Sequence, residues 1–251
     1  MWNTPNLVSV NDRGLLSFAN FQVVNVNGLA GDDKVNVVPG VLLGVTTINV
    51  DGGSPTASDT VVINGTNLTD NVTINNLTLD GASVLGLGPA INVTTAEHLV
   101  YNGFGGDDSL TVTSGVGPDA VRFVPGDSTP DSGTVVVSQL SATRLPITFA
   151  GLGILGQLII ADQSGTRRDT LEVPGTAADD VFNVTSTGTI QLFDPASGVA
   201  SFRSVLVTTP GIVNTILSGT GGSDVFTIAA NHPFSPAFGI PAIRAEWRRW
   251  K

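Results

Sequence analysis

The sequence predicts an all-β chain, a β-solenoid with coils of the parallel β-helix or β-roll-like kind, and three observations carry that expectation. The composition is poor in helix formers, one short Asp-centred unit recurs along the chain, and the residues after each such Asp alternate between apolar and polar. Hydrophobic residues make up 41% of the 251, but they are chiefly Val, Ile and Leu interleaved with Thr, Ser and Asn, with only three Glu, two Lys and one Met. β-branched side chains suit a pleated, half-buried surface, and the scarce residues are those that favour helices.

The recurring unit reads NGLAGDDKVNV from Asn27, NGFGGDDSLTV from Asn102, SGTGGSDVFTI from Ser218, PGTAADDVFNV from Pro174 and NGTNLTDNVTI from Asn64. Eight Asp residues serve as anchors: Asp33, Asp59, Asp70, Asp108, Asp119, Asp169, Asp180 and Asp224. The second and fourth residues after each anchor are apolar in all sixteen cases, from Val35 and Val37 to Phe226 and Ile228. That alternation is the signature of a strand with one buried face. Five residues before each anchor stands Gly or Ser, so each unit reads as a strand, a small residue that permits an unusual backbone angle, a short loop, and an Asp closing the corner before the next strand.

Spacing sets the organisation. Asp59 and Asp70, Asp108 and Asp119, and Asp169 and Asp180 are eleven residues apart, room for one short strand and one corner. On a longer scale SDTVVINGTNLTDNVTI faces RDTLEVPGTAADDVFNV at an offset of 110. The expected layout is an N-terminal strand or cap region over 1–26, a repeat-built region over 27–230 as two degenerate repeats joined near 125–140, and a non-repeat tail over 231–251. The 110-residue offset also suits the alternative of tandem β-sandwiches.

Charge narrows the partners. The net charge is −10, from 18 Asp and three Glu against eleven basic residues. Asp rather than Glu is the carboxylate that bonds its local backbone at turns, which places the charge at strand ends. An acidic body argues against nucleic acid and anionic membranes and makes a cation the natural counterpart. The doublets Asp32/Asp33, Asp107/Asp108 and Asp179/Asp180, with Asp224, are the candidate Ca²⁺ ligands, because that ion takes six to eight hard oxygens. The other reading of the same residues is that each Asp caps its own turn by accepting backbone N–H bonds.

The segment Gly103 to Thr111, GFGGDDSLT, resembles the calcium-binding nonapeptide of hemolysin-type RTX repeats, and Gly28 to Asn36 and Gly219 to Thr227 resemble it without the second glycine. The resemblance implies Ca²⁺ held between coils by the Asp carboxylate and loop carbonyls. In that family the nonapeptides run in tandem, whereas these units are single or eleven residues apart. The longer pattern of isolated GDD turns between strands looks like the repeats of large bacterial surface proteins. It implies an extracellular or cell-surface location and part of a longer chain, with cell-surface, matrix or carbohydrate partners.

No catalytic constellation stands out. His98 and His232 are the only histidines and lie far apart, cysteine is absent, and Arg167 with Arg168 is the one basic cluster in the body of the chain. The amino terminus carries no signal-like basic and apolar run, and the most apolar stretch, Gly151 to Ala161, is too short to span a bilayer. The sequence therefore reads as a structural or adhesive module that is not an enzyme. The alternative is a carbohydrate-active β-helix enzyme of the polysaccharide lyase or hydrolase kind, which would need acids lining a groove beside Arg or aromatic residues.

Overall fold

The computed structural model describes residues 6–10, 15–39, 42–54, 58–76, 78–126, 129–140, 142–163, 169–194, 201–202, 206–209, 212, 214–234 and 243–247. Among them the regular elements are strands. In chain order these are β1 (Asn6–Val8), β2 (Leu16–Phe18), β3 (Val23–Asn27), β4 (Lys34–Val37), β5 (Thr47–Asp51), β6 (Thr60–Asn64), β7 (Asn71–Asn75) and β8 (Ala82–Leu85). Next come β9 (Ala90–Thr94), β10 (His98–Asn102), β11 (Ser109–Thr113), β12 (Ala120–Pro125), β13 (Gly133–Gln139), β14 (Ala142–Thr143), β15 (Ile147–Ala150) and β16 (Gln157–Ala161). The remainder are β17 (Thr170–Pro174), β18 (Val181–Val184), β19 (Ile190–Asp194), β20 (Ser201–Phe202), β21 (Leu206–Thr208), β22 (Asn214–Gly219), β23 (Val225–Ile228) and β24 (Ile243–Trp247).

Two long sheets contain all of these except the β1–β2 hairpin. Sheet I runs β4-β6-β10-β15-β13-β12-β17-β22-β24, and sheet II runs β3-β5-β9-β8-β7-β11-β16-β21-β19-β18-β23. Neighbours in both are parallel, apart from the pairs made by β8, β13 and β19. Each of those three is the middle strand of a meander that doubles back through its sheet: β7-β8-β9, β12-β13-β15 and β18-β19-β21. The meanders give a physical meaning to the 110-residue offset, because β7 and β18 both follow a crossing into sheet II and both open a meander.

Each Asp-anchored corner carries the chain between the sheets. β3 and β4, β5 and β6, β11 and β12, and β16 and β17 are joined by a crossing from sheet II to sheet I. β6 and β7, β10 and β11, β17 and β18, and β22 and β23 are joined by the reverse crossing. Anchors eleven residues apart, such as Asp59 and Asp70, thus sit at the two ends of one strand. Inward residues of both sheets merge into one apolar cluster, with Ile63, Ile74, Leu99, Tyr101, Leu110, Phe123, Phe149 and Phe182 fully enclosed. Of the sixteen alternating apolar residues that follow the anchors, thirteen are buried, and the exceptions are Val35, Phe226 and Ile228. All three lie on β4 or β23, the strands at sheet ends among the described residues.

Candidate functional site

The corners stack, and their carboxylates are the most regular polar feature of the molecule. Along one edge Asp33 N–H donates to Asp59 Oδ1 at 2.8 Å, and Asp59 N–H donates to Glu97 Oε2 at 2.8 Å. Further along the same kind of crossing, Asp119 N–H donates to Asp169 Oδ1 at 2.9 Å. On the other edge Asp70 N–H donates to Asp108 Oδ1 at 2.9 Å, and Asp180 N–H donates to Asp224 Oδ1 at 3.1 Å. Every one of these bonds joins two corners, so a carboxylate from one corner closes the backbone of its neighbour. The second oxygen often serves its own corner: Thr66 N–H donates to Asp70 Oδ2 and Thr176 N–H to Asp180 Oδ2, both at 2.6 Å. Asp59 Oδ2 is enclosed without a hydrogen-bond partner among the described residues.

The small residue five places upstream has a different purpose from the one its position suggests. Gly28, Gly65, Gly103, Gly175 and Gly219 do not adopt left-handed angles; the corner instead lacks room for a side chain. A Cβ on Gly65 would stand 2.8 Å from Asp70 Oδ2, and one on Gly175 would stand 2.6 Å from Asp180 Oδ2. Where serine stands, as at Ser114, the fully buried hydroxyl donates to Asp169 Oδ2 at 2.5 Å. The left-handed angles fall later in the loop, at Leu29 (φ 78°), Phe104 (φ 63°) and Asp107 (φ 61°).

The candidate metal ligands divide by this geometry. In the doublets Asp107/Asp108 and Asp179/Asp180 the first member is exposed and the second buried, while Asp32 is exposed and Asp33 half-buried. Asp224 is buried as well. The exposed members also reach neighbouring loops: Leu155 N–H donates to Asp107 Oδ1 at 2.9 Å, and Ser223 N–H to Asp179 Oδ1 at 2.7 Å. Asp108 is thereby brought beside Asp70, and Asp179 and Asp180 beside Ser223 and Asp224; the three doublets are not brought together. Among the described residues there is no group of three or more His, Asp or Glu arranged to hold a metal ion.

Burial dominates the electrostatics. It pushes the carboxyls of Asp108, Asp119, Asp169 and Asp224 above the ordinary carboxylate range, against the N–H and O–H bonds that Asp108, Asp169 and Asp224 accept and against the charge of Arg144 beside Asp119. Tyr101 donates to Asp108 Oδ2 at 3.1 Å inside the core, and burial first, then the charge of Asp108, pushes the phenol upward.

One buried charge cluster has no counterpart in the sequence reading. Asp119 opens a run of stacked corners, so no preceding corner presents an N–H to its carboxylate. Arg144 fills that position: its guanidinium lies 3.7 Å from Asp119 Oδ1, donates to Asn76 O at 2.9 Å and to Gln139 Oε1 at 3.2 Å, and is itself buried. Asn76 completes the bridge by donating to Leu145 O at 3.0 Å. Arg144 has no sequence signal, but Glu97 does, since Leu99 and Tyr101 follow it in the same alternating frame as an anchor Asp. Arg167 and Arg168 lie outside the described residues. His98 is exposed at the start of β10, and His232 packs on Phe234 with ring centroids 5.6 Å apart.

No protein-family model, no curated protein and no solved structure matches this chain.

Proposed function

We propose that the chain is a structural or adhesive module of a bacterial extracellular or cell-surface repeat protein, with its coils forming a β-solenoid. The observation that supports this reading is the carboxylate ladder. The most regular polar chemistry of the chain is spent on holding one corner to the next, which is what a module that supplies length and an exposed face requires. The outer face of sheet II fits a contact role, since Asn92 donates to Asn49 and Asn49 to Asn25 in a row of surface amides across β9, β5 and β3. In this reading the ladder stands in place of the Ca²⁺ that the RTX resemblance implies: one oxygen each of Asp107, Asp108, Asp179, Asp180 and Asp224 accepts a backbone N–H bond.

The test is a binding and turnover panel. Labelled chain is presented to matrix proteins, surface glycans and intact cells, and to soluble polysaccharides. Saturable binding displaced by unlabelled chain, with no cleavage, is the expected result. Release of reducing ends or unsaturated sugars from a polysaccharide would overturn the proposal in favour of a carbohydrate-active enzyme.

A further inference from the structure

Apolar side chains gather on one part of one edge. β6, β10 and β15 are neighbours in sheet I, β7, β11 and β16 are neighbours in sheet II, and the three loops that join them cross in the same direction. Those loops lock to one another: Gly105 N–H donates to Gly151 O at 2.6 Å, Asp108 N–H to Leu152 O at 2.7 Å, and the Thr69 hydroxyl to Gly106 O. On them stand Leu68, Phe104, Ile154 and Leu155, which are 70%, 63%, 94% and 72% exposed. Single apolar residues on a surface are ordinary, but four on three adjoining loops make a patch.

The corners close without such side chains. Two further corners cross in this direction, Gly175 to Asp180 and Gly219 to Asp224, and they stack by the same kind of bond with only TAAD and TGGS between the Gly and the Asp. Thr176 caps Asp180 through both its N–H and its hydroxyl, as Thr66 caps Asp70. Phe104 occupies the matching place at φ 63°, an angle that crowds a bulky residue and that glycine takes freely. A ring held exposed in a strained conformation, where threonine would cap the corner, serves something other than the corner.

The rim selects the partner. Exposed Asp107 and half-buried Asp131 border the patch, each fixed by a loop N–H: Leu155 donates to Asp107 Oδ1 at 2.9 Å and Gly153 to Asp131 Oδ2 at 3.2 Å. The three loops contain no Lys, Arg or His, and the chain as a whole carries a net charge of −10. We propose that this ridge docks a segment of another protein in which aliphatic or aromatic side chains are flanked by Lys or Arg. A second copy would set the same carboxylates against each other, and an anionic bilayer would be repelled. Loops already fixed to one another lose little freedom on binding, and Phe104 is the anchor such a contact would centre on. The inference rests on the loop geometry and holds whether or not the chain stands at a cell surface.

A random-peptide phage library panned on the full chain, with excess soluble Phe104→Gly chain as competitor, tests the proposal. Glycine relieves the left-handed angle, so this variant should keep its melting temperature while losing the ring. The expected enrichment is of peptides that combine Leu, Phe or Trp with Lys or Arg. A synthetic copy of an enriched peptide should bind at least about tenfold more weakly to Phe104→Gly and to Ile154→Ser. Asp107→Asn tolerates the left-handed angle and keeps an acceptor for Leu155, and it should weaken the basic peptide as well. No enrichment over the competitor, enrichment of acidic or uncharged peptides, or binding that Phe104→Gly and Ile154→Ser leave unchanged would overturn the proposal. Capture of phosphatidylcholine vesicles, or dimerisation in sedimentation velocity, that these two variants abolish would overturn it too, by assigning the ridge to lipid or to a second copy.

Discussion

A methyl group on Gly65 would stand 2.7 Å from Tyr101 Oη and 2.8 Å from Asp70 Oδ2, so even alanine is too large for the corner. Gly65→Ala and Gly175→Ala are each expected to cost about 1–3 kcal/mol by overpacking. Urea midpoints measure this, with Leu140→Ser as a surface control expected to shift little, since Leu140 is 95% exposed. Asp169 tests the cap itself, because its two oxygens take the Asp119 N–H and the Ser114 hydroxyl. Asp169→Ala strands both buried donors at about 1–3 kcal/mol each, whereas Asp169→Asn keeps an acceptor for one and should lose less. Equal losses for the two substitutions would mean that packing, not hydrogen bonding, holds the corner.

At the scale of elements, the run that starts at Asp119 depends on Arg144 reaching it from the turn that follows β14. Arg144→Ala leaves a buried carboxylate without its counter-charge, a change expected to cost about 3–5 kcal/mol at neutral pH. The loss should shrink in acid, where Asp119 takes up a proton, and urea titrations at two pH values show whether it does. Strands and corners were legible in the sequence because both are local: the alternation after each anchor marks the strand, and Gly or Ser before it marks the corner, although the reason for the small residue is lack of room and not the unusual backbone angle its position suggests. Which corner stacks on which was not legible. Partners lie 26 residues apart for Asp33 and Asp59, 38 for Asp70 and Asp108, and 50 for Asp119 and Asp169. The interval varies because meanders such as β7-β8-β9 and β12-β13-β15 are inserted between stacked corners, and β8, β13 and β19 carry no anchor. Arg144 is not legible for the same reason: a lone Arg before Leu145 becomes significant only when the fold carries it to Asp119.

For the whole molecule, the buried carboxyls set an unusual response to acid. Asp108, Asp119, Asp169 and Asp224 are raised above their unfolded values, so between the unfolded and folded pKa the native state binds more protons than the unfolded chain. Stability contributed by these groups therefore rises as pH falls through that window and declines as pH climbs back through it. The net charge of −10 acts in the same direction, since protonation relieves self-repulsion. Melting temperatures at mildly acidic pH should exceed those at neutral pH, and a steady fall on acidification would contradict the burial of the ladder. Tyr101, raised by burial, adds a loss of stability at alkaline pH above the normal phenol range.

In the proposed reading the Asp corners hold one another through backbone hydrogen bonds, without a bound ion. A thermal melt of the chain in excess EDTA, repeated in millimolar Ca²⁺, tests it most directly. The ladder predicts the same midpoint in both. A midpoint several degrees higher in Ca²⁺, with Mg²⁺ at the same ionic strength failing to reproduce it, would contradict the claim and return Asp33, Asp108, Asp180 and Asp224 to the role of metal ligands.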